Sequence, residues 1–243
     1  MIKPVVMNVT AERPGSADWR MAADPDMPQA IVEFGRENGF YHSTVDITVG
    51  DHQVTAEVVT DDQGMQEQLD AYFDYNNVLR RRFTDDVPVT RESAIHIGYI
   101  TEHGVEGASD RLGSSGLPYE GVFEESGTYF GAVGRKSIGT FKSLVIGAMS
   151  GVIAAKDDLL PVHSAIVRSP SGDAVAFSGR GNMGKTTSLL ATFDRLTDEG
   201  FTVMTDDWAM IDEKDLSVNP VDFLVGIRPE SLDGLTAVHT EEW

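Results

Sequence analysis

The chain has no cysteine in its 243 residues, only six lysines (Lys3, Lys136, Lys142, Lys156, Lys185 and Lys214), and no long apolar run. Without cysteine there is no disulfide framework and no thiolate metal site. The longest nearly uncharged segment, SLVIGAMSGVIAA at 143–155, ends at Lys142 and Lys156. It falls short of the roughly 20 apolar residues that a membrane-spanning helix needs, so it reads as a buried helix. At the N-terminus, no basic head leads into an apolar stretch with a small-residue cleavage site. A secretory leader is therefore not expected, and a cytoplasmic location is.

Basic charge is scarce as a whole. Lysine and arginine total 19 against 39 acidic residues, a formal net charge of -20. Such a surface repels nucleic acid and anionic membranes, so neither is expected as a partner. The same balance suits a protein adapted to high salt, where screening removes self-repulsion; an ordinary acidic protein is the alternative. At 41% hydrophobic residues the chain has enough apolar surface for a globular core, and oligomerisation stays open.

The pattern along the chain predicts two α/β domains, an acidic α+β domain over 1–125 of unassigned role and a second over 126–243. In the first, STVDITVGDHQVTAEVVTD (43–61) alternates apolar and polar residues about Gly50-Asp51, which predicts a β-hairpin. A helix follows, with Met65, Leu69, Tyr72, Phe73, Leu79 and Phe83 on one face. Arg80, Arg81 and Arg82 at its end suit the negative pole of the helix, with an acidic partner as the other reading. SAIHIGYIT (93–101) predicts a strand, and the Gly/Ser-rich run at 104–121 a long loop. In the second domain the helix 143–155 precedes the strands 163–168 and 174–179, a glycine loop, a helix to Leu196, and the strands 201–206 and 208–212.

That loop carries the chemistry. Gly179-Arg180-Gly181-Asn182-Met183-Gly184-Lys185-Thr186 satisfies G-x-x-x-x-G-K-[ST] between a predicted strand and a predicted helix. Glycines let successive backbone N–H groups turn toward one anion, and the helix that begins there adds its positive end. Gly179 to Thr187 are thus candidate phosphate-binding residues, with Lys185 reaching the outer phosphates and the Thr186 hydroxyl available to Mg²⁺. The alternative is a glycine-rich turn with a fortuitous Lys-Thr.

Asp206 and Asp207 end the strand that returns from the loop's helix. Phosphoryl transfer uses one carboxylate on a metal ion and another to take a proton from the attacking hydroxyl, and adjacent aspartates can divide those roles. An acidic turn is the plainer reading. His163 is placed by register: if strands 163–168 and 174–179 pair so that Arg168 faces Ala174, then His163 faces Gly179 at the mouth of the loop. His42, His52, His96, His103 and His239 form no ligand pattern.

Taken together, LPVHSAIVRSPSGDAVAFSGRGNMGKTTSLL and GFTVMTDDWAMID resemble the HPr kinase/phosphorylase-like kinases and the related ATP-dependent phosphoenolpyruvate carboxykinases. In that family a histidine opens the strand before a hairpin into the Walker loop, and a later strand ends in paired aspartates. The resemblance spans 158–212. It implies a P-loop kinase domain with a mixed sheet, and a reaction passing the γ-phosphate of Mg-ATP or Mg-GTP to a hydroxyl. It further implies Lys185, Asp206, Asp207 and His163 as catalytic residues, and Thr186 and Asp206 as metal ligands. HPr kinases carry an acidic residue second in the loop, where this chain has Arg180, and their HPr-binding signature is not found in DEKDLSVNPVDFLVGIRPESLDG. Both departures count against the phosphorylase reaction and against HPr itself as substrate, and the implied acceptor is a hydroxyl on a small molecule, peptide or protein. Family catalytic domains also continue well past the aspartates, which implies a shortened member or a sheet completed from the first half. Two further readings are a nucleotide-binding regulatory or scaffold module without turnover, and simple NTP hydrolysis.

Overall fold

The computed structural model describes residues 20–21, 27–83, 87–101, 119–120, 129–134, 136–179 and 183–225. It is a mixed α/β protein with parallel and antiparallel strand pairs. The chain forms two compact units: Met1–Asn77 with Asp86–Ala155, and Lys156–Trp243 with Val78–Asp85. The division thus falls after the apolar helix rather than near residue 125. The loop expected at 104–121 lies largely outside the described residues.

The first unit runs β1 (Arg20–Met21), α1 (Met27–Glu37), β2 (Tyr41–Val49), β3 (His52–Thr60), α2 (Gln63–Phe83, of which the residues from Val78 on fall in the second unit), β4 (Arg91–Thr101), β5 (Tyr119–Glu120), β6 (Tyr129–Gly134) and α3 (Ile138–Ala154). The short strands β1 and β5 pair in parallel. The main sheet has the order β2-β3-β4-β6. Its first pair is the antiparallel hairpin expected about Gly50-Asp51, closed at Val49 and His52. The pairs β3–β4 and β4–β6 are parallel.

Side-chain alternation gives this sheet two buried faces. Ala56, Val58, Ile95, Ile97, Tyr99 and Ala132 are at or near full burial, as are Phe141, Val145, Ile146, Met149 and Ile153 of α3. Tyr99 and Phe141 place their rings 5.0 Å apart. Ser137 caps α3 by accepting from the Thr140 N–H, which starts the helix five residues before the apolar run read from sequence. In α2 the expected face is buried at Met65, Leu69 and Phe73, whereas Phe83 is exposed. No described helix is long and apolar enough to cross a membrane.

Across the sheet, α1 buries Ile31 and Val32, two neighbours on its inner stripe. Its close approach depends on Gly98: a Cβ there would stand 2.6 Å from Ile31 Cγ2 and 3.2 Å from the Val32 backbone nitrogen.

The second unit contains β7 (Leu159–Arg168), β8 (Ala174–Ser178), α4 (Lys185–Leu196), a 3₁₀ turn (Thr197–Glu199), β9 (Thr202–Thr205), β10 (Trp208–Asp212) and β11 (Val218–Pro220). Every described pairing in its sheet is antiparallel. The parallel pairs among the described residues therefore lie in the first unit, whereas the resemblance implied a mixed sheet for the glycine-loop domain. The described strands of this sheet all follow residue 158, so none comes from the first half.

β7 is its central strand. β8 lies on one side, and β9 followed by β10 on the other, with β11 outside β10. Leu189 and Leu190 of α4 pack with Ala165 and Val167 of β7, flanked by Phe177, Phe201 and Val203. Full burial of such leucines is worth about 1.5–3 kcal/mol each, enough to hold the loop's helix on the sheet.

Candidate functional site

Two strand ends and one helix start define the site. β7 and β8 pair from Arg168–Ala174 to Ser164–Ser178, the register expected from the turn, so the next position down brings His163 level with Gly179. On the other side of β7, Ile166 pairs with Thr205 and His163 with Trp208 in a single register. Asp206 and Asp207 therefore stand opposite Ala165 and Ser164, where the Ser164 N–H donates to the Asp207 carbonyl at 3.0 Å.

Since β8 and β9 both run against β7, they run the same way, and their carboxyl ends arrive at one level of the sheet. Two strand spacings of ~4.8 Å put these ends ~10 Å apart with β7 between them. Ser164 fixes the geometry from the middle, its hydroxyl lying 2.5 Å from that of Ser178.

After Gly179 the chain passes through Arg180, Gly181 and Asn182, which lie outside the described residues, and is described again from Met183. Gly184 precedes the first turn of α4 at φ +87°, a left-handed conformation that an L side chain seldom adopts. Lys185 opens the helix, and its Nζ donates to the Gly179 carbonyl at 3.1 Å. The lysine thus joins the two ends of the glycine loop. Thr186 is half-buried beside it, while Thr187 and Met183 are exposed.

The two aspartates differ. Asp206 is 3% exposed, opposite Ala165 in the cluster under α4. Asp207 is partly open, with its Oδ1 3.1 Å from His163 Nε2. The imidazole also stacks on its cross-strand partner Trp208, centroids 5.3 Å apart and planes 11° from parallel. The Thr205 hydroxyl donates to the Trp208 carbonyl at 3.0 Å, bracing the chain around both aspartates.

Trp208 is the residue that sequence reasoning misses. No short turn joins β7 to β10, so no turn arithmetic can pair it with His163. A further buried acidic residue, Asp222, donates its backbone N–H to the same Trp208 carbonyl. Among the described residues, no group of three or more His, Asp or Glu side chains is arranged to hold a metal ion by itself.

No protein-family model matches the chain, and no curated protein matches it.

Proposed function

We propose that this protein is a nucleotide-dependent phosphotransferase of HPr-kinase-like type, passing the terminal phosphate of ATP or GTP to a hydroxyl on a small molecule, peptide or protein. The observation that carries the reading is the meeting of a G-x-x-x-x-G-K-T loop and a paired aspartate at one level of a sheet, with His163 between them on the central strand.

The chemistry follows from the parts. Gly184 and the start of α4 present backbone N–H groups and positive helix charge to an anion. Lys185 would exchange the Gly179 carbonyl for a phosphate oxygen, a stronger, charge-assisted bond. The acceptor hydroxyl oxygen forms the new bond to phosphorus as the bond to the departing diphosphate breaks. Its proton passes to Asp207, the more open carboxylate, which His163 orients through the 3.1 Å bond.

Mg²⁺ needs only one or two protein oxygens when phosphates and waters complete its shell. The buried Asp206 carboxylate and the Thr186 hydroxyl at the head of α4 are donors of that kind. When bound, the ion would neutralise charge on the phosphate oxygens.

The test is acceptor-dependent formation of ADP or GDP across a panel of hydroxyl compounds, in wild type and Asp207→Asn. Turnover that requires an acceptor and is lost in the variant supports the reading. Nucleotide binding without turnover, unchanged in Asp206→Asn and Asp207→Asn, would contradict it and leave a phosphate cradle with no transfer role.

A further inference from the structure

The first unit holds a second cluster of titratable side chains that the phosphotransfer reading does not use. Thr44, Glu57, His96 and Tyr129 occupy matching positions on β2, β3, β4 and β6, so one row of side chains crosses the whole sheet. Above the row stands Arg36, in the last turn of α1. Arg36 Nε donates to Glu57 Oε1 at 3.1 Å, and its Nη2 donates to Glu57 Oε2.

The same Nη2 lies 2.9 Å from His96 Nδ1, and Nδ1 in turn lies 2.9 Å from Glu57 Oε2. These contacts make opposite demands. Guanidinium only donates, so its bond to Nδ1 requires a bare nitrogen; carboxylate only accepts, so its bond requires a protonated one.

We infer that His96 is a proton-operated selector at the end of α1. With Nδ1 bare, Arg36 is held by both Glu57 and His96. With Nδ1 protonated, the imidazolium donates to Glu57 Oε2, and Arg36 loses one acceptor and gains a like charge beside it. The anchoring of the last helical turn therefore changes with one proton.

Other polar groups face the same cluster. On β6, Tyr129 stacks on the imidazole at 4.8 Å between centroids. On β2, His42 Nδ1 is 4.0 Å from Glu57 Oε1. On α1, Glu33 is exposed and accepts from Gln29. Glu57 is held below the usual carboxylate range, first by Arg36 and then by His96, and Arg36 is raised by Glu57. Both therefore keep their charges between about pH 5 and 8, and the proton on the imidazole is what decides between the two arrangements.

The test is NMR of the full chain labelled with ¹⁵N across that range. The expected result is an unprotonated Nδ1 at high pH, protonation on acidification, and a shift of the amides of residues 36–39 with the same midpoint. His96→Gln should abolish that amide step, and His42→Gln should leave it in place. A proton retained on Nδ1 at high pH, or amides that ignore the His96 midpoint, would overturn the proposal. So would a step that survives in His96→Gln and disappears in His42→Gln.

Discussion

His163 and Trp208 face each other across neighbouring strands with their rings nearly parallel, and the same imidazole bonds Asp207. The ring is therefore fixed twice, by stacking on its face and by a carboxylate at Nε2. Trp208→Ala should loosen it without touching the glycine loop. We expect kcat to fall about tenfold with nucleotide affinity unchanged, whereas Asp207→Asn should lower kcat by about 10²–10⁴, the usual contribution of a positioned base. Steady-state kinetics alongside calorimetric nucleotide titration separates the two effects.

A packing prediction concerns the first unit. Gly98→Ala places a methyl 2.6 Å from Ile31 Cγ2 and 3.2 Å from a backbone atom of α1. Since the backbone yields less readily than a side chain, the helix must lift. A loss of ~1–3 kcal/mol is expected in urea unfolding, the usual cost of overpacking.

Acid stability has a specific contributor. Asp62 begins α2 by accepting from the Met65 N–H, and it pairs with Lys136. Its pKa is lowered from 3.8, chiefly by Lys136. A depressed folded pKa gives stability that is present above the unfolded value and lost as pH falls through the folded one. Lys136→Met should therefore melt below wild type near neutral pH, and the difference should close as pH falls below about 4. Melting curves at stepped pH check this.

Much of the second unit is legible in the sequence, because each step is local. The turn 169–173 sets the β7–β8 register and with it the place of His163. The glycine loop announces both the end of β8 and the start of α4. What escapes depends on long-range pairing. Nothing in WAMID says that Trp208 will lie on His163, and nothing in the loop says that its sheet pairs antiparallel throughout the described strands. Nor is α1 visible, since its short MPQAIVEFGRE stripe carries only Ile31, Val32 and Phe34 as large apolar residues at its centre. The unit boundary falls later than expected for the same reason: β6 and α3 follow the Gly/Ser-rich run 104–121 in sequence but belong to the first unit, where β6 pairs with β4.

Salt should matter at this charge. With a net charge of -20, screening relieves repulsion in the folded state. The melting temperature is expected to rise between low salt and molar KCl, and a flat or falling curve would exclude adaptation to high salt.

The most direct test of phosphate binding at the loop is a thermal shift of wild type and Lys185→Ala in molar KCl, with and without Mg²⁺ and each of ATP, GTP, ADP and pyrophosphate. A ligand that binds only the folded protein raises its melting temperature by mass action. A Mg²⁺-dependent rise with a nucleoside triphosphate is expected in wild type. In the variant, loss of a charge-assisted bond worth about 1.5–3 kcal/mol should weaken binding by roughly 10- to 150-fold and remove most of the shift. No shift in wild type with any of these ligands, or the same shift in Lys185→Ala, would contradict the claim that this loop binds phosphate.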